Sequence, residues 1–457
     1  MNSPEPSRGA LFDPTFGAGE LSALLSDRAW VTAMVEVEAA LARAEAKCDV
    51  IPAASADAIS SVFARVVAEG SVDVGALGEA AAAGGNPVIP LVKLLRGEVT
   101  AADLGVPGSH VHKGATSQDI LDTALMLLCR RSGAHILASL DEAVLCAEAL
   151  ARAQRDTPIA GRTLGQQALP TTFGVLAAGW MTALHRASRA LFDALDGLPV
   201  QLGGAAGTSA ALYPHGLDVA DVLADELGLA RQDVPWHTDR TRIALLASAL
   251  GTAAGAVSKI ATDIVFLSST EVGEVSEGSP GGSSAMPHKR NPVAAIAARA
   301  AARRTPGLVA TILGSMDHEQ QRAAGAWHAE WETLTDLLRL TGGAVARIAD
   351  SLGGLNVHPD AMARNLDITG GLLLAERVTG ALSARTDNAR DLVTAARDLV
   401  TAACETGHPL DEDPGLLEYL QADEIRALLD PAGYLGHAHD IVDRALETVA
   451  RGREGTR

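Results

Sequence analysis

The residue types best suited to chemistry fall in one short stretch, Gly281-Gly282-Ser283-Ser284-Ala285-Met286-Pro287-His288-Lys289-Arg290-Asn291-Pro292. It carries a pair of hydroxyls, an ammonium and an amide. Two glycines free its backbone and two prolines keep it from being helical. A serine-hydrolase elbow would need Gly-x-Ser-x-Gly between a strand and a helix, and that pattern is absent, as are zinc and P-loop patterns. From Gly278 to Met316 there is no Asp or Glu, although the formal net charge of the chain is −19. The same stretch holds Lys289, Arg290, Arg299, Arg303 and Arg304. A local positive field in an acidic protein suits an anionic small molecule. For Arg299, Arg303 and Arg304 a solvated basic helix face is the plainer reading.

Two more polar clusters stand upstream. His110-Val111-His112-Lys113-Gly114-Ala115-Thr116-Ser117-Gln118-Asp119 precedes a helical run expected from Ile120 to Arg152. Thr116 or Ser117 caps that helix, and the N–H groups of its first turn can hold an anion; a cap alone also explains them. Gly161-Arg162-Thr163-Leu164-Gly165-Gln166-Gln167 is the other cluster. Pro235-Trp236-His237 leads into a long helix, so His237 is either a pocket residue or a structural one at the helix start. Asp317 to Trp331 holds Arg322 and two tryptophans, Trp327 and Trp331, spaced to share a helix face as core or pocket wall.

The loop 281–292 resembles the signature loop of the fumarase/aspartase superfamily, which includes argininosuccinate and adenylosuccinate lyases. From about residue 20 to about 380 the chain resembles the bacterial 3-carboxy-cis,cis-muconate cycloisomerases of that superfamily, and 317–331 does so in particular. The resemblance implies an all-α, three-domain protein with a long central helical bundle. It implies that Ser283, as an alkoxide, exchanges a proton on carbon next to a carboxylate. Lys289 and Asn291 would hold the resulting aci-carboxylate, and Thr116, Ser117 and Thr163 the other carboxylates, with His237 and Arg322 also binding substrate. The substrate would be a small di- or tricarboxylate, with no cofactor and no metal. The assembly would be a homotetramer with active sites shared between subunits.

One departure from the family pattern discriminates among its members. Most of these lyases have a histidine after Arg-Thr, the usual general acid, paired with a glutamate five residues after the loop asparagine. Here those positions are Leu164 and Ile296. A carboxylate facing leucine would lack a partner, so the two losses agree. An amine or hydroxide leaves only when protonated, whereas a carboxylate, comparable to an acid of pKa ~4, leaves as the anion. Lactone chemistry therefore fits, and an apolar wall at Leu164 would suit an unsaturated carbon chain. A lyase releasing nitrite from nitrosuccinate fits the same logic. Adenylosuccinate-type lyases fit less well, and a crystallin-like structural member is set against the intact Ser283, Lys289 and Asn291.

The elements that must position these residues are helical. Ala, Leu and Gly dominate and aromatic residues make up 3%. Ile243, Leu246, Leu250, Ala253, Val257, Ile260, Ile264 and Leu267 step by three and four, a seam for lengthwise packing against other helices. So long a rod of small residues argues for an oligomeric bundle. Helices are expected over 28–48, 54–69, from 88, and from 299 to 316. The uncharged stretch from Leu164 to Leu184 reads as a polar loop followed by a buried helix rather than a membrane span. The domains are drawn as 1–109, 110–354 and 355–457. Cys48, Cys129, Cys146 and Cys404 have no metal or disulfide spacing. The first residues carry no signal-peptide pattern, and the pI is near 5.1. A cytoplasmic protein that binds neither membrane nor nucleic acid is expected.

Overall fold

The computed structural model describes residues 11–17, 19–282, 285–385 and 391–454, apart from the side chains of 391–393 and 454. Ser283 and Ser284 lie outside the described residues. The architecture is all-α, as expected, with short strand pairs. The N-terminal part contains α1 (Asp27–Lys47), α2 (Ala53–Glu69), α3 (Val74–Gly84) and α4 (Val88–Ala101). The long helix α5 (Ser117–Ala153) follows, then strands β1 (Pro158–Thr163) and β2 (Gln166–Thr172), α6 (Phe173–Leu195) and α7 (Gly216–Leu227). Next come α8 (Thr241–Leu267), β3 (Val275–Glu277), α9 (Val293–Ala302), α10 (Thr305–Gly314) and α11 (Ala326–Gly353). Beyond β4 (Leu355–Val357), the described chain is again mainly short helices, with α12 (Pro359–Leu366) the first of them.

The chain divides into two compact units, each assembled from separate segments. Unit 1 is the chain up to Asp141 with Arg186–Lys259 and Ala297–Arg347; unit 2 is Glu142–His185, Ile260–Ile296 and the chain from Ile348. In unit 1 the α8 seam residues Ile243, Leu246, Leu250, Ala253 and Val257 are all fully buried. Ile260, Ile264 and Leu267 are buried in unit 2. The periodicity thus reports the core of the single chain, and the seam by itself does not require a partner subunit. Helix α8 is long and apolar enough to cross a membrane, a test that a buried core helix also passes.

Two expected elements differ. The polar loop before α6 is a β-hairpin, with Pro158 opposite Thr172 and Thr163 opposite Gln166. Its turn is Leu164-Gly165, at φ +52° and +81°. Positive φ at both turn positions matches the right-handed twist of the strands, and it normally selects Asn-Gly. A leucine there is strained, and this one is fully exposed at the tip. Leu164→Asn is therefore expected to raise stability by about 1 kcal/mol in denaturant unfolding.

The second difference is the helix expected from 299 to 316, which starts earlier and is broken into α9 and α10. Pro306 has no N–H to donate and its ring crowds the preceding turn. The Thr305 hydroxyl donates to the Ala302 carbonyl at 2.8 Å. Pro409 and Pro414 interrupt the C-terminal helices, with Asp413 accepting from the Leu416 N–H at 3.0 Å to cap a short helical turn.

Candidate functional site

In unit 1 the expected anion site sits at the head of α5, and its organiser is a buried carboxylate. Asp119 Oδ1 accepts from the Gly203 N–H at 2.9 Å and lies 2.7 Å from His237 Nε2. Asp119 Oδ2 accepts from the N–H groups of Thr116 and Gly204, each at 2.9 Å. The Thr116 bond is half of a capping box, with an Asp in the place of the usual Glu. Asp119 therefore ties together the Thr-Ser turn, the glycine loop at 203–204 and His237. With four contacts on a buried side chain it is a positioning group. Gly114, at φ +71°, makes the turn possible, since a Cβ there would meet Leu212 Cγ at 2.4 Å.

Next along α5, Gln118 Nε2 donates to the His237 carbonyl at 2.8 Å and to Asp122 Oδ2 at 3.1 Å. Arg322 reaches Gln118 Oε1 at 3.5 Å and the carbonyls of Gly204 and Ala205 at 3.4 and 3.2 Å. Thr116, His237 and Arg322 are thus linked through Asp119, Gln118 and Gly204, with Ser117 next to Thr116 on the same turn. His237 is buried and engaged by Asp119, so the structural option for it is the one the geometry supports. The hydroxyls of Thr116 and Ser117 hold no protein partner among the described residues.

Beneath this site lies a fully buried charge cluster. Arg240 donates through Nη1 and Nη2 to the two oxygens of Asp122 at 2.8 and 3.1 Å. Its Nε and Nη2 reach Glu330 at 2.5–3.1 Å. Trp327 Nε1 also donates to Asp122, at 3.0 Å, so this tryptophan is a buried core residue. Burial works against the charged guanidinium, but the two carboxylates outweigh it and raise the Arg240 pKa. Trp331 instead lines a mostly apolar cavity of about 270 Å3 with Trp30, Met34 and Leu77.

Lys113 has a definite position. Its Nζ donates to the Val50 carbonyl at 3.0 Å and its charge acts on Glu45, a carboxyl with no exposure and no hydrogen-bond partner. Burial, with the Glu38 charge adding, pushes the Glu45 pKa from 4.5 up to about 9, against the pull of Lys113. The folded chain therefore keeps Glu45 protonated while the unfolded chain ionises it above its ordinary value. The stability this group contributes is full below about pH 4.5 and is lost as pH rises toward about 9. Glu45→Gln should gain on the wild type by a few degrees of melting temperature between pH 5 and pH 8.5, measured side by side.

Unit 2 carries the loop and the hairpin. The Gly281 and Asn291 backbones exchange two hydrogen bonds, each of 2.9 Å, which close the base of the loop. Asn291 Nδ2 donates to the Gly281 carbonyl at 3.3 Å, and exposed Lys289 has no side-chain partner among the described residues. Buried Glu277 accepts from the N–H groups of Ala294 and Ala295 at 3.1 and 2.9 Å and from the Ser351 hydroxyl at 2.6 Å. It caps α9 from outside the helix and fixes the chain leaving the loop. Arg162 forks onto buried Glu274 at 2.9 and 2.7 Å, which anchors β1 one residue before exposed Thr163. Leu164 and Ile296 are both exposed, so packing within unit 2 does not demand their apolar side chains.

Gln118 and Asp119 stand in the motif that precedes α5, but nothing in the sequence gives either a role, and Glu38 and Glu45 lie outside every motif. For the two glutamates a signal existed. Val31, Met34, Glu38, Leu41 and Glu45 step by three and four, so both acids sit on the buried stripe of α1. Unit 1 thus presents the Thr116 and Ser117 hydroxyls at a helix head, and unit 2 a loop whose Lys289 side chain has no partner among the described residues. The all-α architecture and the loop motif fit the superfamily that the sequence resembles.

Comparison with known proteins agrees. Residues 13–307 match a family profile described as lyase. The chain is 44% identical over 450 residues to nitrosuccinate lyase of Streptomyces davaonensis, covering 95% of this chain and 94% of that one. It is also 44% identical over 443 residues to 3-carboxy-cis,cis-muconate cycloisomerase of Pseudomonas aeruginosa, covering 95% of each. The solved 3-carboxy-cis,cis-muconate lactonizing enzyme of Pseudomonas putida superposes with a TM-score of 0.89 at 39% identity, over 97% of this chain and 100% of that one. The chain belongs to the fumarase/aspartase superfamily of lyases and is an enzyme of that superfamily.

Proposed function

We propose that this enzyme interconverts 3-carboxy-cis,cis-muconate and 4-carboxymuconolactone without a cofactor. The observation that carries this reading is the pair Leu164 and Ile296, apolar and exposed where the relatives' acid pair would stand. In the lactonizing direction one substrate carboxylate adds to the far alkene carbon, forming a C–O bond. The alkene electrons move into the neighbouring carboxylate as an aci-carboxylate dianion, which Lys289 and Asn291 stabilise. Ser283 or a neighbour then delivers a proton to the α-carbon, and the product is an isomer of the substrate. In reverse the Ser283 alkoxide takes that proton and the ring carboxylate departs as an anion. No general acid is needed, so Leu164 forfeits little of the ~10²–10⁴-fold that such a group supplies elsewhere. Thr116, Ser117 and Thr163 hold the remaining carboxylates, and Arg322 and His237 back them.

A second reading has its own support: the Streptomyces relative of equal identity is named nitrosuccinate lyase, and nitrite also departs unprotonated. Loss of carboxymuconate ultraviolet absorbance, measured beside nitrite release from nitrosuccinate, separates the two. Turnover of the first supports the cycloisomerase, and nitrite release alone replaces it with the lyase. In this reading the enzyme is a cytoplasmic homotetramer with sites shared between subunits; light scattering at a monomer mass would contradict that assembly.

A further inference from the structure

Beside the head of α5, unit 1 has a cavity of about 350 Å3, within the ~300–1,000 Å3 range of ligand clefts. Val88 and Val92 supply buried apolar lining, and Lys93, Arg96, His112 and Ser117 supply the polar groups. No Asp or Glu lines it among the described residues, in a chain of net charge −19. The Lys93 ammonium has no hydrogen bond or ion pair among the described residues. Arg96 is fixed by two bonds to the Val111 carbonyl, at 3.3 and 3.0 Å, which leave its Nη1 unused. His112 stands at φ +61°, a conformation uncommon for a non-glycine residue. Its Nδ1 lies 2.6 Å from Oε1 of fully buried Glu38, so the free ring nitrogen is Nε2. A strained histidine oriented by a buried acid, on a cationic cavity with an apolar floor, is not explained by packing.

We propose that this cavity is a carboxylate subsite in which Lys93 and His112, the latter oriented by Glu38, receive the additional carboxylate of a tricarboxylate substrate next to Thr116 and Ser117. The inference rests on the reaction proposed above and deepens it. Lys93 and His112 are the specificity-determining residues, separating tricarboxylates from dicarboxylates. Ligand chemistry follows from the lining: a carboxylate on a short unsaturated chain, with charge at the rim and carbon over the valines. Burial pushes the His112 ring toward its neutral form, but the charge and hydrogen bond of Glu38, with Asp119 adding and Arg96 opposing, raise its pKa overall. The charged groups around it are thus Glu38 on α1, Arg96 and Lys93 on α4, and Asp119 on α5. Affinity for the extra carboxylate should be full at low pH and fall as pH rises through that raised value.

Calorimetric titration of the intact enzyme with aconitate, a tricarboxylate, and fumarate, a dicarboxylate, tests the subsite. The wild type should prefer aconitate. Lys93→Met and His112→Asn should each weaken aconitate about tenfold and leave fumarate within about twofold. His112→Asn should also flatten the pH dependence of aconitate binding. Exposed Lys93 can be changed without disturbing the core, so that variant decides even where His112→Asn folds poorly. An unchanged aconitate preference in Lys93→Met, or no preference in the wild type, overturns the proposal. Because binding is read without turnover, the subsite can stand while carboxymuconate goes unconverted, and it can fail while the reaction holds.

Discussion

Arg240→Met is expected to destabilise the folded chain by about 3–5 kcal/mol, read from denaturant unfolding followed by helical circular dichroism. Arg240 is fully buried between Asp122 and Glu330 and is the direct counter-ion of both. Removing it leaves two acids out of water with little compensation. Gln118 and Trp327 still donate to Asp122, and His318 Nε2 is 3.4 Å from Glu330 without the geometry of a hydrogen bond. The net worth of the intact cluster is a separate quantity, because an ion cluster replaced whole by apolar residues can be neutral. Combining Arg240→Met with Asp122→Asn and Glu330→Gln should therefore recover part of the loss, and an equal or larger loss would contradict the charge argument. Catalysis should suffer with stability. Asp122 is one turn from Gln118, which holds the His237 backbone and contacts Arg322.

Ser283→Ala is expected to lower kcat by at least ~10²–10⁴-fold, the contribution of a positioned proton-transfer group. KM should change little, since the carboxylate contacts are assigned to other residues. A serine hydroxyl is a weak base, so the proposed role requires the field of Lys289 and of loop N–H groups in a site without water. Lys289→Met should then act on the same step, and its combination with Ser283→Ala should cost much less than the product of the single losses. A Ser283→Ala enzyme with near wild-type turnover would remove the loop hydroxyl from the mechanism while leaving the family assignment intact.

How much of this was legible in the sequence depended on the range of the interaction. The α8 seam was read correctly because three-four periodicity is local and its residues are apolar. Helix α5 begins at Ser117, three residues before the expected Ile120, because buried Gln118 and Asp119 look like loop residues until their partners are known. The hairpin was hidden by Gly161, Pro170 and a Leu-Gly turn, none of which resembles ordinary strand or turn sequence. The split between α9 and α10 is marked in the sequence by Pro306. Thr116 and Ser117 in unit 1, and Lys289 and Asn291 in unit 2, could be singled out from their motifs. The burial of Glu38 could be read from the α1 stripe, but the partners of the buried acids could not, since Asp119 meets His237 across 118 residues and Glu38 meets His112 across 74.

In the proposed reaction the departing group leaves as a bare anion, so the most direct measurement is a turnover profile of the purified enzyme against leaving-group basicity. Carboxymuconolactone and nitrosuccinate would be set beside malate, aspartate, argininosuccinate and adenylosuccinate. Turnover should be confined to the carboxylate and nitrite leaving groups, with the lactone the better substrate. Comparable turnover of any substrate releasing hydroxide or an amine would show that an acid operates in this site, and would contradict the proposed reaction.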